Sequence, residues 1–506
     1  MTTTRIITST VLFFFILFVG SSIYYLQIDI SMLTSSFSTK EGGVTSKNTE
    51  RIETPQVNCT FGDLTLTCPL SNSETQISPT NKTSTEVCPE YFRWIHEDLS
   101  PWRKTGISND MIMRARRTAH FRLVIVDGKA YLETYGKAYQ SRDTLNLWGI
   151  LQLMRRYPGR FPDLDLLFDC NDPPVIKSSL YMQPKATVPP PALFGYCSDD
   201  SHLDIVFPDW SFWGWPEINI KPWNTLLEEM KAENRKTKWT EREPYAYWKG
   251  NPDVGKTRKD LLKCNVSDEQ DWGARLYEQD WGRESQNGFQ QSNLANQCTH
   301  RYKVYIEGWA WSVSQKYILA CDSLTLLVKP RFYDFFTRGL KPLKHYWPIK
   351  NNDKCRSIKF AVDWGNTHEQ KVQDIGKASS DFIQENLKME YIYDYMFHLL
   401  NEYAKLLTYK PTIPPNAVEF CSATMACPHA DGVEKSYMMD TIVRQPSDSG
   451  PCTMPPPFEP PSFHALLKEK EQSIKTVETW ENEFWNNQPR FHDYWASNYD
   501  AIRKGV

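Results

Sequence analysis

A glycine-bounded loop in the middle of the chain has the spacing that most directly suggests chemistry. Residues 250–257 read GNPDVGKT, which satisfies the P-loop pattern GxxxxGK[ST] and stands between a strand-like YAYWK and a helix-like RKDLLK. A glycine turn, a helix N-terminus and the cations Lys249, Lys256 and Arg258 suit phosphate groups. The aromatic preceding strand and the lack of an assignable Walker-B aspartate disfavour a nucleoside triphosphatase. A sulfotransferase with a phosphosulfate donor stays an alternative.

Two acidic motifs flank one apolar stretch, FPDLDLLFDCNDPP. Asp163-Leu-Asp165 is a DxD, which in many lumenal glycosyltransferases holds manganese, but here it precedes its strand, so we favour a turn and strand-start role. Asp172 follows the strand, at the end where open α/β sheets place ligands. One carboxylate there could take the proton of an acceptor hydroxyl while cations stabilise a diphosphate leaving group. Asn-Asp-Pro-Pro also suits a plain turn, and both interpretations stay open.

The elements around these motifs alternate between strand-like and helix-like segments. We expect a hairpin in HFRLVIV-DG-KAYLETY, a helix over 142–157 and a long helix over 380–407. Such alternation predicts an α/β fold with a parallel sheet.

The N-terminus carries a long apolar segment. From Ile6 to Leu26 the chain has no charged residue, which is enough for a helix to cross a hydrocarbon core of about 30 Å. Arg5 precedes the segment and Asp29 follows it, so the positive-inside rule predicts a lumenal location for the rest. A cleaved signal peptide is disfavoured because its apolar region usually has about 7–15 residues.

Cysteines and glycosylation motifs agree with an oxidising compartment. The chain has 12 cysteines, an even number that fits disulfides. Asn58, Asn81 and Asn265 begin sequons and are glycosylation candidates. Cys421 and Cys427 lack histidine partners at metal-site spacing, so disulfides are favoured over a metal, and we expect no metal site.

Composition divides the chain into segments. Residues 31–86 are rich in Ser, Thr and Asn, which cannot bury enough apolar surface to offset chain ordering. The 58 basic and 61 acidic residues nearly balance, which disfavours a nucleic-acid partner. We predict a cytoplasmic tail (1–5), a transmembrane signal anchor (6–26), a flexible lumenal stem (27–87), a catalytic domain (88–408) and a C-terminal Pro-rich extension (409–506).

Several stretches, in the same order, are similar to the Rumi-type protein O-glucosyltransferases of glycosyltransferase family 90, also known for a capsule-associated domain. They are CPEYFRWIHEDLSPWR, FPDLDLLFDCNDPP, HLDIVFPDWSFWGWP, YAYWKGNPDVGKTRKDLL and CTHRYKVYIEGWAWSVSQKYILACDSL, with HYWPIK and the expected helix from Phe382 to Leu407 beyond. Together they cover about Cys88 to Leu407, and the ordered set is more specific than any single motif. Among members of the family the chain looks most like the plant Rumi homologues.

The resemblance implies an α/β, two-lobed GT-B-type fold with Rossmann-like lobes, an inverting reaction, a UDP-sugar donor substrate and no metal or other cofactor. Carried over residue by residue, the catalytic base falls on Asp172. The donor-binding residues fall on Gly250, Asn251, Arg258, Trp309, Ala310, Trp311, Ser312, Val313 and Ser314. The resemblance also implies a disulfide between Cys298 and Cys321.

Two departures separate this sequence from the family pattern. Ser314 stands where animal Rumi proteins carry an arginine, so one diphosphate or sugar contact must come from elsewhere, with Lys316 or Lys256 as candidates. The acceptor-facing segment, about Trp215 to Pro222, is shorter and differently composed, which leaves the acceptor open. Nearby aromatic side chains could stack on a sugar or pack in the core, namely Trp210, Phe212, Trp213 and Trp215.

The sequence therefore predicts an inverting UDP-sugar-dependent glycosyltransferase of O-glucosyl- or O-xylosyltransferase type, acting on a protein or glycan hydroxyl. Its expected location is the Golgi membrane, as a single-pass type II protein, with the ER membrane as the alternative, because the chain closes with RKGV and not with a KDEL-type signal. Three other functions stay open: a polysaccharide-directed pentosyl- or glucosyltransferase, a catalytically weak glycan-binding scaffold, and a lumenal sulfotransferase.

Overall fold

The computed structural model describes residues 68, 85–182, 188–428 and 432–487. The predicted cytoplasmic tail (1–5), the transmembrane anchor (6–26), most of the stem, and the sequons at Asn58 and Asn81 lie outside these ranges. Within the described ranges no helix combines the length and the apolar character that crossing a membrane requires.

Eleven strands form two sheets in the described part of the chain. In chain order they are β1 (Phe121–Val126), β2 (Lys129–Thr134), β3 (Leu164–Phe168), β4 (Phe194–Gly195), β5 (Ile205–Val206), β6 (Glu243–Gly250), β7 (Ala274–Glu278), β8 (His300–Tyr305), β9 (Leu324–Val328), β10 (Trp347–Ile349) and β11 (Val418–Phe420). The first sheet has the order β11-β2-β1-β3-β4-β5 and the second the order β10-β9-β8-β6-β7. The second sheet is parallel throughout, whereas in the first β1 is antiparallel to β2 and β3. The predicted α/β class with parallel strands thus describes the second sheet fully and the first in part.

Thirteen α-helices accompany the strands in the described ranges. They are α1 (Trp94–Asp98), α2 (Asn109–Arg114), α3 (Arg142–Arg156), α4 (Trp223–Lys236), α5 (Lys256–Leu262), α6 (Trp281–Gln286), α7 (Ser314–Leu319), α8 (Lys354–Thr367), α9 (Glu369–Asn386), α10 (Met389–Ala404), α11 (Ser422–Ala426), α12 (Val433–Asp440) and α13 (Pro460–Asn487).

The predicted hairpin joins β1 to β2 through a two-residue turn. Asp127 and Gly128 have φ of 50° and 74°, and the turn brings Val126 opposite Lys129. Two left-handed residues match the right-handed twist of the flanking strands. Because so short a connection allows only antiparallel pairing, this hairpin makes the first sheet mixed.

The predicted long helix over 380–407 is wrong, since the chain forms two helices there. α9 ends at Asn386 and α10 begins at Met389, with Lys388 extended at φ −58° and ψ 147°. The carbonyl of Leu387 accepts a hydrogen bond from Trp223 Nε1 at 2.7 Å. A side chain from a distant segment therefore binds a backbone carbonyl at the break between the two helices. Apolar periodicity alone does not reveal such a contact.

Residues after 408 are built into the fold. β11 pairs with β2 at the edge of the first sheet, and Val477 of α13 is 1% exposed in the core of the second. Glu481 of α13 accepts hydrogen bonds from Ser357 Oγ at 2.9 Å. The segment predicted above to be a C-terminal extension thus pairs with the first sheet and packs in the core of the second.

Disulfides close several long loops. The described bridges are Cys68–Cys421, Cys88–Cys452, Cys264–Cys355 and Cys298–Cys321. Cys427 is also disulfide-bonded, whereas Cys170 and Cys197 are buried free thiols. Such bridges restrict the unfolded chain and so stabilise the fold.

Candidate active site

A cavity of about 570 Å³ opens where both sheets present the carboxyl ends of strands. The segment after β3, the end of β6 and the turn after β8 contribute to its wall, which is the edge where α/β sheets place ligands. Nine of the ten catalytic and donor-binding residues predicted from sequence line it: Asp172, Gly250, Asn251, Arg258, Trp309, Trp311, Ser312, Val313 and Ser314. Ala310, the tenth, is fully buried and is not part of the lining. Trp309 is 70% exposed, so the cavity presents an aromatic face to solvent.

Asp172 forms an ion pair in the cavity wall. Arg142, the first residue of α3, donates from Nη1 to Asp172 Oδ1 at 2.5 Å and to the Cys170 carbonyl at 3.3 Å. The carboxylate side chain is 33% exposed, whereas that of Arg142 is 9% exposed. The arginine therefore holds a carboxylate that remains accessible from the cavity.

Aromatic rings position Arg142 in turn. Its guanidinium lies 4.5 Å from the ring centroid of Trp210 and 5.9 Å from that of Trp215. These two members of the predicted aromatic cluster line the cavity, whereas Phe212 and Trp213 are fully buried in the core. Sequence reasoning did not single out Arg142, because an arginine at a helix start carries no distinctive signal.

Arg258 braces two loops of the site. It donates to the carbonyls of Asn251 at 3.1 Å, Glu307 at 3.1 Å and Ile306 at 3.3 Å, and to Ser312 Oγ at 3.2 Å. Burial lowers the pKa of its guanidinium. Since a guanidinium has five N–H donors, Arg258 keeps about one for a ligand. Its main effect is to tie the loop after β6 to the turn after β8.

In the loop after β6, the lysine of the P-loop pattern does not face the cavity. A Cβ built on Gly255 would lie 2.9 Å from the carbonyl oxygen of Gly308, so glycine permits a close approach of the two loops. Asn251 Oδ1 accepts from the backbone N–H of Asp253 at 2.8 Å, which stabilises the local turn. Lys256, the lysine of the pattern, is exposed and lies outside the cavity lining.

Neither lysine suggested as a replacement for the missing arginine at Ser314 reaches the cavity. Lys316 is 2% exposed, and its Nζ lies 3.1 Å from Asp209 Oδ2 in the interior. Lys256 is turned to solvent. The lining instead includes Lys303 of β8. A lysine in the middle of the otherwise apolar segment YKVYI was the sequence signal that could have identified it.

The chemical character of the lining suits an anionic, oxygen-rich ligand. Four cationic side chains, Arg142, Lys249, Arg258 and Lys303, accompany two carboxylates, Asp172 and Asp253. Four lining residues also carry a buried N–H donor without a partner among the described residues: Arg142, Trp210, Gln279 and Trp311. Diphosphate groups offer acceptor oxygens for the lining cations.

The DxD motif has structural contacts. Asp163 Oδ1 accepts from the backbone N–H of Asp127 at 2.9 Å and so caps the hairpin turn. Asp165 is fully buried; it accepts from Arg122 at 2.8 and 2.6 Å, and from the Tyr409 hydroxyl at 2.7 Å. Neither aspartate lines the cavity.

Two further predicted sites are not part of the cavity lining. The Cys298–Cys321 bridge joins both ends of the segment that contains β8, the turn and α7. Asn265 is half-buried, and its side-chain amide donates to the carbonyl of Leu276 at 3.0 Å and accepts from its N–H at 2.9 Å. A glycan on Asn265 would have to share this amide with β7.

Residues 83–481, more than half of the chain, match the family model described as Glycosyl transferase family 90. The chain belongs to glycosyltransferase family 90. Its relatives include Protein O-glucosyltransferase 1 of Homo sapiens, 25% identical over 351 residues, or 65% of this chain and 83% of the relative. The Bos taurus protein of the same name is 26% identical over 348 residues, or 65% and 83%. O-glucosyltransferase rumi of Drosophila pseudoobscura pseudoobscura is 24% identical over 338 residues, or 64% and 79%.

Membership in glycosyltransferase family 90 makes this chain an enzyme that transfers a sugar, of the Rumi type that the ordered motifs indicated. The match continues past residue 408, in agreement with the packing of β11 and α13. The scaffold and sulfotransferase alternatives therefore lose their support.

Proposed function

We propose that this family 90 enzyme transfers a sugar from a UDP-sugar to a hydroxyl group with inversion at the anomeric carbon, and that Asp172 is the general base. The observation that carries the proposal is the accessible Asp172 carboxylate, held by Arg142 in the wall of a cationic cavity. The names of the relatives support a glucosyl donor and a protein hydroxyl as acceptor.

The proposed reaction needs one carboxylate and a stabilised leaving group. Asp172 takes the proton of the acceptor hydroxyl while the acceptor oxygen forms its bond to the anomeric carbon, opposite the diphosphate. The bond from that carbon to the β-phosphate oxygen breaks, and UDP leaves with the electron pair. Lys249, Lys303 and neighbouring N–H donors offset the charge that develops on UDP.

Two features of the fold support finer parts of the proposal. Each sheet has its own apolar core, and the cavity lies at the carboxyl ends of strands, as a GT-B-type enzyme with two Rossmann-like lobes requires. The lining cations can neutralise a diphosphate, so we propose catalysis without a metal ion. We further propose a type II location in the Golgi membrane, with the ER membrane as the alternative, on the basis of the apolar segment 6–26.

The test of the chemistry is UDP release by the purified full-length chain with a panel of UDP-sugars, with and without EDTA. We expect turnover that is selective for one sugar and insensitive to EDTA. Asp172→Asn should lower turnover by about 10²–10⁴-fold, the usual contribution of a general base. Asp163→Asn is the matched control, because it makes the same change in the DxD outside the cavity, and it should retain activity.

Two outcomes would contradict the proposal. Wild-type turnover in Asp172→Asn would exclude this carboxylate as the base. Loss of activity in both EDTA and Asp163→Asn would instead assign the reaction to a metal held by the DxD. The location is tested separately by protease protection of epitopes placed at each end of the chain and by co-localisation with Golgi and ER markers.

A further inference from the structure

A buried lysine without a carboxylate partner lies in the wall of the active-site cavity. Lys303 of β8 is 4% exposed and lines the cavity. Its Nζ donates to the carbonyl of Gln297 at 2.9 Å and lies 5.1 Å from the ring centroid of Tyr247. Among the described residues, no Asp or Glu forms an ion pair with it.

A second buried lysine has the carboxylate partner that Lys303 lacks. Lys316 is 2% exposed, and its Nζ lies 3.1 Å from Asp209 Oδ2 and 2.7 Å from Ser211 Oγ. Burial disfavours its charge, but Asp209, Tyr317 and Asp334 together outweigh burial and raise the pKa of Lys316. Lys316, unlike Lys303, therefore has its own carboxylate partner.

The groups that face Lys303 do not supply that anion. Burial, with a smaller contribution from Arg242, lowers the pKa of Lys303 to about 7. His300 of the same strand is neutral at pH 7, since burial, and then Lys303, lower its pKa to about 4. Tyr247 of β6 faces Lys303 as a neutral phenol, because burial raises its pKa. From β9, the residue paired with Lys303 is the uncharged Thr325.

We propose that Lys303 binds the diphosphate of the UDP-sugar donor through its ammonium group, which makes the ligand the counter-ion that the protein lacks. The inference rests on the proposed function, because it requires a nucleotide-sugar in this cavity. An unpaired buried ammonium is costly, and an anion in the same cavity removes that cost.

The test is isothermal titration of the full-length chain with UDP and, separately, with uridine. Lys303→Met keeps an unbranched side chain that is one atom shorter and removes the charge, so UDP should bind about 10- to 150-fold more weakly, the usual range for a charged hydrogen bond. Uridine, which has no phosphate, should bind wild type and variant alike. Lys303→Arg should recover part of the UDP affinity. Lys256→Met, the same change outside the cavity, should leave UDP affinity unchanged.

Proton uptake on UDP binding provides a second readout, and it can be measured on the wild-type protein. Because a diphosphate favours the charged ammonium, UDP binding should raise the pKa of Lys303 above its free value of about 7. At pH 8 the phosphates of UDP are already deprotonated. Titrations in two buffers of different ionisation enthalpy should therefore show that wild type takes up protons and Lys303→Met takes up fewer.

The outcomes separate this inference from the proposed function. Equal UDP affinity in Lys303→Met and wild type, or an equal loss for uridine and UDP, would overturn the assignment to the diphosphate. Absence of proton uptake by wild type at pH 8 would overturn it as well, even if the variant failed to fold. No UDP binding by folded wild type would instead contradict the proposed function itself.

Discussion

The bond between Arg142 and Asp172 predicts how much catalysis depends on the orientation of the base. The bond measures 2.5 Å and joins a guanidinium that is 9% exposed to a carboxylate that is 33% exposed. A hydrogen bond to a charged group contributes about 1.5–3 kcal/mol, and each 1.36 kcal/mol corresponds to about tenfold in rate. Arg142→Met should therefore lower kcat by about 10- to 150-fold when the bond serves to orient the base.

The assay is UDP release at saturating donor, with KM measured alongside kcat. Arg142→Lys keeps the charge but loses the planar group that lies 4.5 Å from the Trp210 ring, so it should recover only part of kcat. Arg275→Met is the matched control. Arg275 is also ion-paired, to Asp271 at 3.0 Å, and lies 3.7 Å from the ring of Tyr245, yet it is not part of the cavity lining.

Two results would refute this reasoning. Unchanged kcat in a folded Arg142→Met protein would show that Asp172 reaches its reactive orientation without the arginine. A similar fall of kcat in Arg275→Met, with thermal unfolding at a lower temperature in both variants, would assign the loss to general destabilisation.

Three further predictions concern stability, loop packing and pH. Replacing Cys264 and Cys355 by serine opens a bridge that spans 91 residues and should lower the free energy of unfolding by about 2–5 kcal/mol; an unchanged denaturation midpoint would contradict this. Gly255→Ala places a Cβ 2.9 Å from a carbonyl oxygen of the turn after β8. The free energy of unfolding should therefore fall by about 1–3 kcal/mol, and calorimetry should show weaker UDP binding. The control is Gly136→Ala, whose Cβ meets nothing within 4 Å, and it should match wild type in both measurements. Burial raises the pKa of Asp334 from 3.8 to about 7. The contribution of Asp334 to stability is therefore present at acid pH and is lost as pH rises through about 4 to 7. Asp334→Asn should flatten that part of the curve of Tm against pH, and an unaltered curve would argue against the raised pKa.

Local sequence patterns were sufficient for the elements that depend on neighbouring residues. The two-residue Asp127-Gly128 turn, the buried strand β3 and helix α3 were all predicted, because turn geometry and apolar period are local properties. The order of motifs also identified the enzyme family and placed Asp172 just after a strand. Where a strand ends is encoded nearby, so a residue at that end could be proposed as part of a site.

Only the tertiary structure decided which side chains meet. Arg142 and Asp172 are 30 residues apart in the chain and come together because α3 packs beside the end of β3. Lys303 and Lys316 look alike in sequence, yet one lines the cavity and the other pairs with Asp209, 107 residues away. Strand alternation determines which side of a sheet a residue occupies, but what lies on that side depends on the packing of distant segments. Partners, burial and charge at the site are therefore properties of the folded chain.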